Sequence, residues 1–105
     1  VRKIYNMRIF SDKEDKMNLS IQDVNGSFLI ISQFTLHASI NKGNRPSFIK
    51  AAKPNQAIPL YEEFCKSLSA HSGLSVATGI FGADMKVRLL NDGPVTIVID
   101  SQKKD

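Results

Sequence analysis

The spacing of apolar residues changes several times along the chain, and each spacing predicts a different element. Helical spacing over Val1 to Phe10 indicates the tail of a helix that runs into a strand. A charged, turn-like stretch follows, and Leu19 to Val24 then has the composition of a short strand. Asn25-Gly26 is typical of a type I′ hairpin turn. The next run, Phe28 to Ile31, is apolar on both faces and indicates a central strand buried on two sides.

The second half of the chain contains the clearest helical pattern. A longer helix is predicted from Gln56 to Ser72, because its apolar residues recur at helical intervals, and Gly73 stops it. Before it, Pro46 is expected to open a short helix. The inward positions of that short helix would be Phe48, Ile49 and Ala52.

Two strands are predicted to close the chain. Apolar residues alternate over Met85 to Leu90 and again over Val95 to Asp100, on either side of a turn at Asn91 to Pro94. Together the elements predict an α+β fold, in which two or three helices pack on a mostly antiparallel β-sheet. Since no long linker or repeat interrupts the pattern, residues 1–105 are expected to form a single domain.

Composition is that of an ordinary globular protein, with 42% apolar and 23% charged residues. The single cysteine, Cys65, excludes an internal disulfide and fits a reducing compartment such as the cytoplasm. No apolar run has membrane-spanning length, and no segment has the order of a signal peptide. A start at Val1 rather than Met is typical of a fragment or a processed product.

The net charge is +4, and one part of the chain is notably basic. Its basic residues are Lys42, Arg45, Lys50 and Lys53. Such a cluster can neutralise phosphates and steer a nucleic acid toward a nearby site. It is equally typical of a solvated loop and helix face, so charge alone does not separate the two interpretations.

Several kinds of functional site have no signature in the sequence. His37 and His71 lie far apart, and neither has a cysteine or carboxylate at ligand spacing, so no metal site is expected. No phosphate-cradling glycine motif occurs, since Gly79-Ile80-Phe81-Gly82 matches neither common pattern. The Gly-x-Ser-x-Gly elbow of one hydrolase class is also missing.

Two short segments place compact polar residues at the end of an apolar run: Ser32 to Leu36 and Asn91 to Thr96. A strand would bring each of them to the rim of a sheet. In the first, Thr35 is either a nucleophile with His37 as its base or, as spacing alone favours, a turn threonine beside a surface histidine. In the second, Gly93-Pro94 is either a simple turn or a rigid step that presents main-chain groups to a ligand.

Four segments form a series along the chain. They are Ser32-Gln33-Phe34-Thr35-Leu36, Arg45-Pro46-Ser47-Phe48, Phe81-Gly82-Ala83-Asp84-Met85 and Asn91-Asp92-Gly93-Pro94-Val95-Thr96. In order and spacing they resemble successive signatures of the D-aminoacyl-tRNA deacylases, across essentially the whole chain. Members of that family carry a preceding hairpin, a core strand and most of a helix. The resemblance therefore implies an N-terminally truncated domain of a barrel-like α+β fold.

The resemblance implies a hydrolase that cleaves the ester between a D-amino acid and the terminal adenosine of tRNA. Glycine mischarged on tRNA-Ala is implied as a further substrate. The family is cytoplasmic and homodimeric, and it needs neither a metal nor a cofactor nor a membrane. Its Gly-Pro step is cis and reaches into the partner's site, where main-chain carbonyls leave no room for an L side chain. Chiral proofreading would then rest on exclusion by the backbone.

Carried over residue by residue, the resemblance implies three groups of site residues. The catalytic segment is Ser32, Gln33, Phe34 and Thr35, with main-chain N–H groups near Phe34 and Thr35 suited to hold an oxyanion. The substrate-binding residues are Phe81, Ala83, Met85, Gly93 and Pro94. The tRNA-binding residues are Lys42, Arg45, Lys50 and Lys53.

Two matters stay open at the level of the sequence. Thr35 is either the nucleophile or a positioning group while the 2′-hydroxyl of the RNA assists attack by water. The second role is preferred, because no partner reliably lowers the cost of deprotonating Thr35. The alternative function is a non-catalytic nucleic-acid-binding module that uses the basic region 42–53, with DNA as a less expected partner.

Overall fold

The computed structural model describes residues 1–103, which form two α-helices and four short strands. In chain order these are α1 (Arg2–Asn6), β1 (Phe10–Ser11), β2 (Met17–Leu19), β3 (Phe28–Ile30), a 3₁₀ turn (Phe34–Leu36), α2 (Pro54–Ser72) and β4 (Val76–Thr78). The predicted α+β class is confirmed. Where one mostly antiparallel sheet was expected, residues 1–103 hold two two-stranded sheets, antiparallel β1–β2 and parallel β3–β4.

The longest element is α2, and its sequence explains its boundaries. Pro54 lies in the first turn, where its missing N–H has no intrahelical partner to lose. Gly73 ends the helix with a φ of 69°, a left-handed conformation that glycine adopts without a Cβ penalty. The predicted helix is confirmed, although it begins at Pro54 rather than Gln56. Neither α2 nor another helix within residues 1–103 is long and apolar enough to cross a membrane.

The parallel pair β3–β4 is joined by α2, since parallel strands need a long crossover connection. Phe28 pairs with Val76, and Ile30 pairs with Thr78. Between them Leu29 is 62% exposed. The prediction that this strand is buried on two sides is therefore wrong for the described residues, because α2 packs against one face of the pair and Leu29 lies on the other.

Residues 20–26 form a compact turn in place of the predicted strand and type I′ hairpin. The Asp23 N–H donates to Ser20 Oγ at 3.3 Å, and the Ser20 N–H donates to the Asp23 carboxylate at 2.8 Å. This reciprocal pair is a capping box, which the spacing Ser-x-x-Asp allows. The Gly26 N–H then donates to the Ile21 carbonyl at 2.9 Å, and Ile21 is buried. Local side-chain bonds thus outweigh the strand propensity of the segment.

The short helix predicted after Pro46 is also wrong. The main chains of Ser39 and Ser47 exchange two hydrogen bonds of 2.8 Å, which close a loop where the helix was expected to begin. Ile49, predicted to point inward, is 82% exposed. A helix of this length has marginal stability on its own, so the hydrogen-bonded pairing of Ser39 with Ser47 is favoured over it.

The two predicted closing strands do not form a ladder within residues 1–103. Between them, the Val95 N–H donates to Asn91 Oδ1 at 3.2 Å, and Asn91 Nδ2 donates to Thr96 Oγ1 at 2.9 Å. These side-chain bonds hold a wider loop than a hairpin turn.

Few apolar side chains of the described residues are buried. Ile21 and Leu68 are the buried hydrophobic residues. The radius of gyration is 16.1 Å, whereas a compact domain of this length has about 13 Å. An apolar cleft of about 300 Å³ also lies open between α1, β1 and residues 95–99. The fold therefore presents an unusually large apolar surface, and the single domain stays a prediction.

Replacing Asp12 by Ala is expected to loosen the β1–β2 turn. The Asp12 carboxylate accepts hydrogen bonds from Asn18 Nδ2 at 2.9 Å and from the Glu14 and Lys16 amides at 2.9 and 3.0 Å. The Asn18 bond, followed by the Lys16 amide, holds the pKa of Asp12 below its ordinary value of 3.8. The stabilisation is thus present above pH 3.8 and is lost as the pH falls through the lower native value.

The measurement is the thermal unfolding midpoint of wild type and Asp12→Ala as a function of pH. We expect a lower midpoint for the variant at neutral pH and a gap that closes below pH 3.8. Asp84→Ala is the control, because its carboxylate makes an exposed ion pair with Lys86 and should show little effect. A difference in unfolding midpoint that is as large below pH 3.8 as at neutral pH would show that Asp12 does not act as a carboxylate acceptor.

Candidate active site

The carboxyl ends of β3 and β4 lie at the same edge of their sheet, because the two strands are parallel. The segments that leave this edge line a cavity of about 220 Å³. One wall is Ile31 to Phe34, and the other is Phe81 to Met85 with Val87. Ligands of open α/β sheets bind outside the carboxyl ends of the strands. The cavity brings together six of the predicted site residues, Ser32, Gln33, Phe34, Phe81, Ala83 and Met85.

The first wall ends in a 3₁₀ turn that leaves two main-chain amides outside its own hydrogen bonds. The Leu36 N–H donates to the Gln33 carbonyl at 3.4 Å, and the His37 N–H donates to the Phe34 carbonyl at 3.0 Å. The amides of Phe34 and Thr35 take no part in these bonds, as is general for the first residues of a helical turn. Two adjacent amides of this kind are suitable donors for an anionic oxygen.

Thr35 does not line the cavity, but its hydroxyl is held by a residue that does. Gln33 Nε2 donates to Thr35 Oγ1 at 2.6 Å. A carboxamide is not a base, whichever way its oxygen and nitrogen are oriented. Gln33 therefore orients the Thr35 hydroxyl without activating it as a nucleophile.

The loop that follows the first wall supports Phe34 from outside. The ring of Phe34 meets that of Phe48 edge-on, with centroids 5.4 Å apart and planes at 85°. This is a favoured geometry for an aromatic pair. The paired main chains of Ser39 and Ser47 close the loop that carries Phe48. The segment Arg45 to Phe48 thus braces the cavity wall, although it does not itself line the cavity.

The second wall depends on glycine at two positions. Gly82 has a φ of 76°, which an L side chain rarely adopts. A Cβ on Gly79 would lie 2.6 Å from Met85 Sδ, so the absence of a side chain lets Met85 lie against the end of β4. At the mouth, Asp84 and Lys86 form an ion pair of 3.1 Å that is exposed and contributes little. Within residues 1–103, no group of three histidine, cysteine or acidic side chains could hold a metal ion.

Tyr61 on α2 is a site residue that the sequence pattern did not predict. In the sequence, Tyr61 is only one of the residues of the apolar face of this helix. Its hydroxyl lies 3.0 Å from the carbonyl oxygens of both Ile30, the last residue of β3, and Gly79, the residue after β4. Burial, followed by the neighbouring Cys65, raises the pKa of Tyr61 above its ordinary value of 10.0. The hydroxyl therefore keeps its proton at neutral pH and can act as a donor.

Two further spaces lie between the cavity and the basic loop, and together we call them the trough. A second space of about 240 Å³ shares Phe34 and Phe81 with the cavity. A third space of about 610 Å³ shares His37 with the second, and Lys42 and Lys50 line it. The two remaining basic residues of the cluster are exposed and line none of these spaces; they are Arg45 and Lys53.

The other predicted substrate-binding segment lies apart from this cavity. Gly93 and Pro94 line neither the cavity nor the trough, and the peptide bond between them is cis. The Asn91 side chain holds the loop through the bonds to Val95 and Thr96 already described. The structure thus separates the two segments that the sequence singles out.

Known proteins resemble the chain over nearly its whole length. A family model described as D-Tyr-tRNA(Tyr) deacylase matches residues 1–100. The D-aminoacyl-tRNA deacylase of Flavobacterium johnsoniae is 65% identical over 103 residues, which are 98% of this chain and 69% of that protein. The D-aminoacyl-tRNA deacylase of Bacteroides fragilis is 64% identical over 104 residues, 99% of this chain and 69% of that protein. A solved structure, the c-Myc DNA Unwinding Element Binding Protein, matches with a TM-score of 0.82 and 41% identity, over 95% of this chain and 68% of that one.

Proposed function

We propose a reaction from the premise that this chain belongs to the D-aminoacyl-tRNA deacylase family and is a hydrolase. The reaction is hydrolysis of the ester between a D-amino acid and the terminal adenosine of tRNA, which releases the free D-amino acid and the tRNA. Glycine mischarged on tRNA-Ala is a further substrate, because it also lacks an L side chain. Since aminoacyl-tRNA is a substrate of translation, we place the reaction in the cytoplasm. The proposal is carried by the cavity that unites six motif residues from two distant segments.

The chemistry that this cavity supports is attack by water with electrostatic stabilisation. Attack on the ester carbonyl carbon places negative charge on the carbonyl oxygen. The amides of Phe34 and Thr35, which the 3₁₀ turn does not use, supply donors for that charge. One donor of this kind is worth roughly 100- to 1,000-fold in rate. The substrate's own 2′-hydroxyl assists the water, and Thr35 positions the reacting groups.

The trough provides a path for the acceptor end of the tRNA. The terminal nucleoside occupies the cavity beside Phe81 and Met85, and the preceding nucleotides run toward the basic loop. There Lys42 and Lys50 line the wide end of the trough, and the exposed Arg45 and Lys53 add positive charge beyond it. Contacts of this kind fix the register of a nucleic acid without reading its sequence.

The chiral filter is proposed to come from a second copy of the chain. The loop Asn91 to Thr96 lies apart from the cavity of its own chain and is braced by the Asn91 side chain. Apolar side chains on both flanks of the loop are exposed, with Leu90 at 90% and Val98 at 92%. Exposed apolar surface of this kind favours association. In a homodimer the Gly93–Pro94 main chain would enter the partner's cavity and exclude an L side chain.

A second candidate function is binding of nucleic acid without catalysis. The similar solved structure is that of the c-Myc DNA Unwinding Element Binding Protein. The exposed basic cluster Lys42 to Lys53 is compatible with that role. Such a protein would bind with a steep dependence on salt concentration and would cleave no ester.

The central test compares D-tyrosyl-tRNA with L-tyrosyl-tRNA on the same tRNA. We expect the protein to release tyrosine from the D-ester and to spare the L-ester, because the filter excludes an L side chain. The measurement is the initial rate of deacylation for each ester, with uncatalysed hydrolysis as the baseline. Binding of tRNA with cleavage of neither ester would favour the nucleic-acid-binding alternative. Equal cleavage of both esters would contradict the proposed chiral filter.

Thr35→Ala is expected to retain substantial deacylation. Gln33, which contacts the Thr35 hydroxyl, cannot accept its proton, and within residues 1–103 no hydrogen bond joins Thr35 to His37, so no contact supplies the base that a nucleophile needs. Loss of a positioning group should lower the single-turnover rate by about tenfold, whereas loss of a nucleophile costs more than about a thousandfold. The control is Ser67→Ala, which removes a hydroxyl that donates to Glu63 on α2 and lines neither wall. A thousandfold loss with tRNA binding intact would identify Thr35 as the nucleophile.

Gly93→Ala is expected to lower the D/L rate ratio. Gly93 has a φ of +123°, and an added Cβ would lie 3.1 Å from Val95 Cγ2 and 3.2 Å from the Val95 nitrogen, so the loop must shift. Gly73→Ala is the control, because Gly73 also has a positive φ but caps α2 with open space around it. The control should cost roughly 1–2 kcal/mol of stability, because an L side chain is strained at a left-handed position, and it should keep the ratio. An unchanged ratio in Gly93→Ala would argue against a filter at this loop.

A further inference from the structure

Tyr61 joins the two strands at the point where their chains separate. The last hydrogen bond between them is donated by the Gly79 N–H to the Ile30 carbonyl at 2.9 Å. The Tyr61 hydroxyl lies 3.0 Å from that same Ile30 oxygen and 3.0 Å from the Gly79 oxygen. One hydroxyl from α2 therefore occupies the fork between the two chains.

The two walls of the cavity begin directly beyond this fork. Ile30 precedes the wall that runs from Ile31 to Phe34, and Gly79 precedes the segment that leads into Phe81. The single proton of the hydroxyl lies between the two carbonyl oxygens, so a movement of one strand end away from the other lengthens its contact to at least one of them. The separation of the walls is thereby coupled to the position of α2.

The Tyr61 ring is itself fixed on two sides. It belongs to α2, a helix of 19 residues, and its ring packs against Phe81 with centroids 6.2 Å apart and planes tilted by 56°. Phe81 belongs to the second wall. The side chain therefore contacts the wall through its ring and sets the base of both walls through its hydroxyl.

We propose that Tyr61 is a positioning residue for deacylation: it holds the donors of the Gln33–Thr35 segment at a fixed distance from the Phe81–Met85 wall. This proposal rests on the proposed hydrolytic function. The first wall supplies the oxyanion donors, and the second wall holds the substrate's terminal nucleoside. The rate of the chemical step is sensitive to their separation, since a misplacement of about 1 Å can cost roughly 100-fold.

The variant Tyr61→Phe tests this role, because it keeps the ring against Phe81 and removes only the hydroxyl. We expect kcat for the D-ester to fall between about 10- and 100-fold, with a much smaller change in KM, since the basic residues proposed to hold the tRNA lie away from the fork. Tyr5→Phe is the matched control: it removes a hydroxyl from α1, which lines neither wall, and should leave both constants unchanged.

Amide hydrogen exchange gives a second readout that does not depend on activity. Loss of the Tyr61 hydroxyl should accelerate exchange at the Gly79 amide, the last bond between β3 and β4, and leave the β1–β2 ladder unchanged. Uniform acceleration in both sheets would indicate general destabilisation and would overturn the proposal. So would a Tyr61→Phe enzyme with wild-type kcat at a temperature where both proteins are folded.

The two readouts separate this proposal from the proposed function. If the wild-type protein cleaves no D-ester, the hydrolytic function fails, while faster exchange confined to Gly79 would still support the fork. If the wild type is active and Tyr61→Phe is equally active, the function stands and the positioning role is removed.

Discussion

The candidate site depends on the parallel pairing of β3 and β4. Parallel strands end at the same edge, so the segments Ser32 to Phe34 and Phe81 to Met85 emerge side by side although they are distant in sequence. An antiparallel pair would have placed them at opposite ends of the sheet. The parallel arrangement in turn requires a crossover, and α2 supplies it. Gly73 stops that helix where the chain must turn back toward β4.

The helix α2 does more than connect the strands, because Tyr61 on this helix contacts both chains at the point where they separate. Beyond the bond from the Gly79 amide to Ile30, no strand pairing holds the two chains together within residues 1–103. At that point the Tyr61 hydroxyl lies within hydrogen-bonding distance of the Ile30 and Gly79 carbonyls. The Ile30 carbonyl already accepts a hydrogen bond from the Gly79 amide, so the hydroxyl matters most as a donor for the Gly79 carbonyl, which has no strand partner there. The α2 crossover, the parallel pairing of β3 with β4 and the position of the cavity walls therefore depend on one another.

The sequence predicted those features that depend on local patterns. The helix α2 was predicted because its apolar residues keep one period over many turns, and Gly73 marks its end. The position of Ser32 to Phe34 at the end of a strand followed from the apolar run before it, whereas the Phe81 segment was singled out only by its resemblance to a family motif. That these residues bind the substrate stays a prediction. Pairing between β3 and β4 was not predictable, because the partner of a short apolar strand is decided by long-range packing.

The errors have an equally physical origin. The Ser20–Asp23 capping box was present in the sequence, yet the strand-like composition of the segment concealed it. Tyr61 could not be identified, since its acceptors lie 31 and 18 residues away in the chain and both are main-chain carbonyls. A site made largely of main-chain groups leaves little trace in side-chain patterns. The same property suits an enzyme that must accept many side chains while it discriminates their configuration.

The position of the Asn91–Thr96 loop bears on how such discrimination would be assembled. A filter must contact the substrate, yet Gly93 and Pro94 do not line the cavity of their own chain. The loop is internally braced, and the apolar residues on its flanks are exposed. On the proposed arrangement, association buries those flanks and completes two cavities at once. Rejection of L-esters would then require the dimer, and it would weaken with dilution as the dimer dissociates.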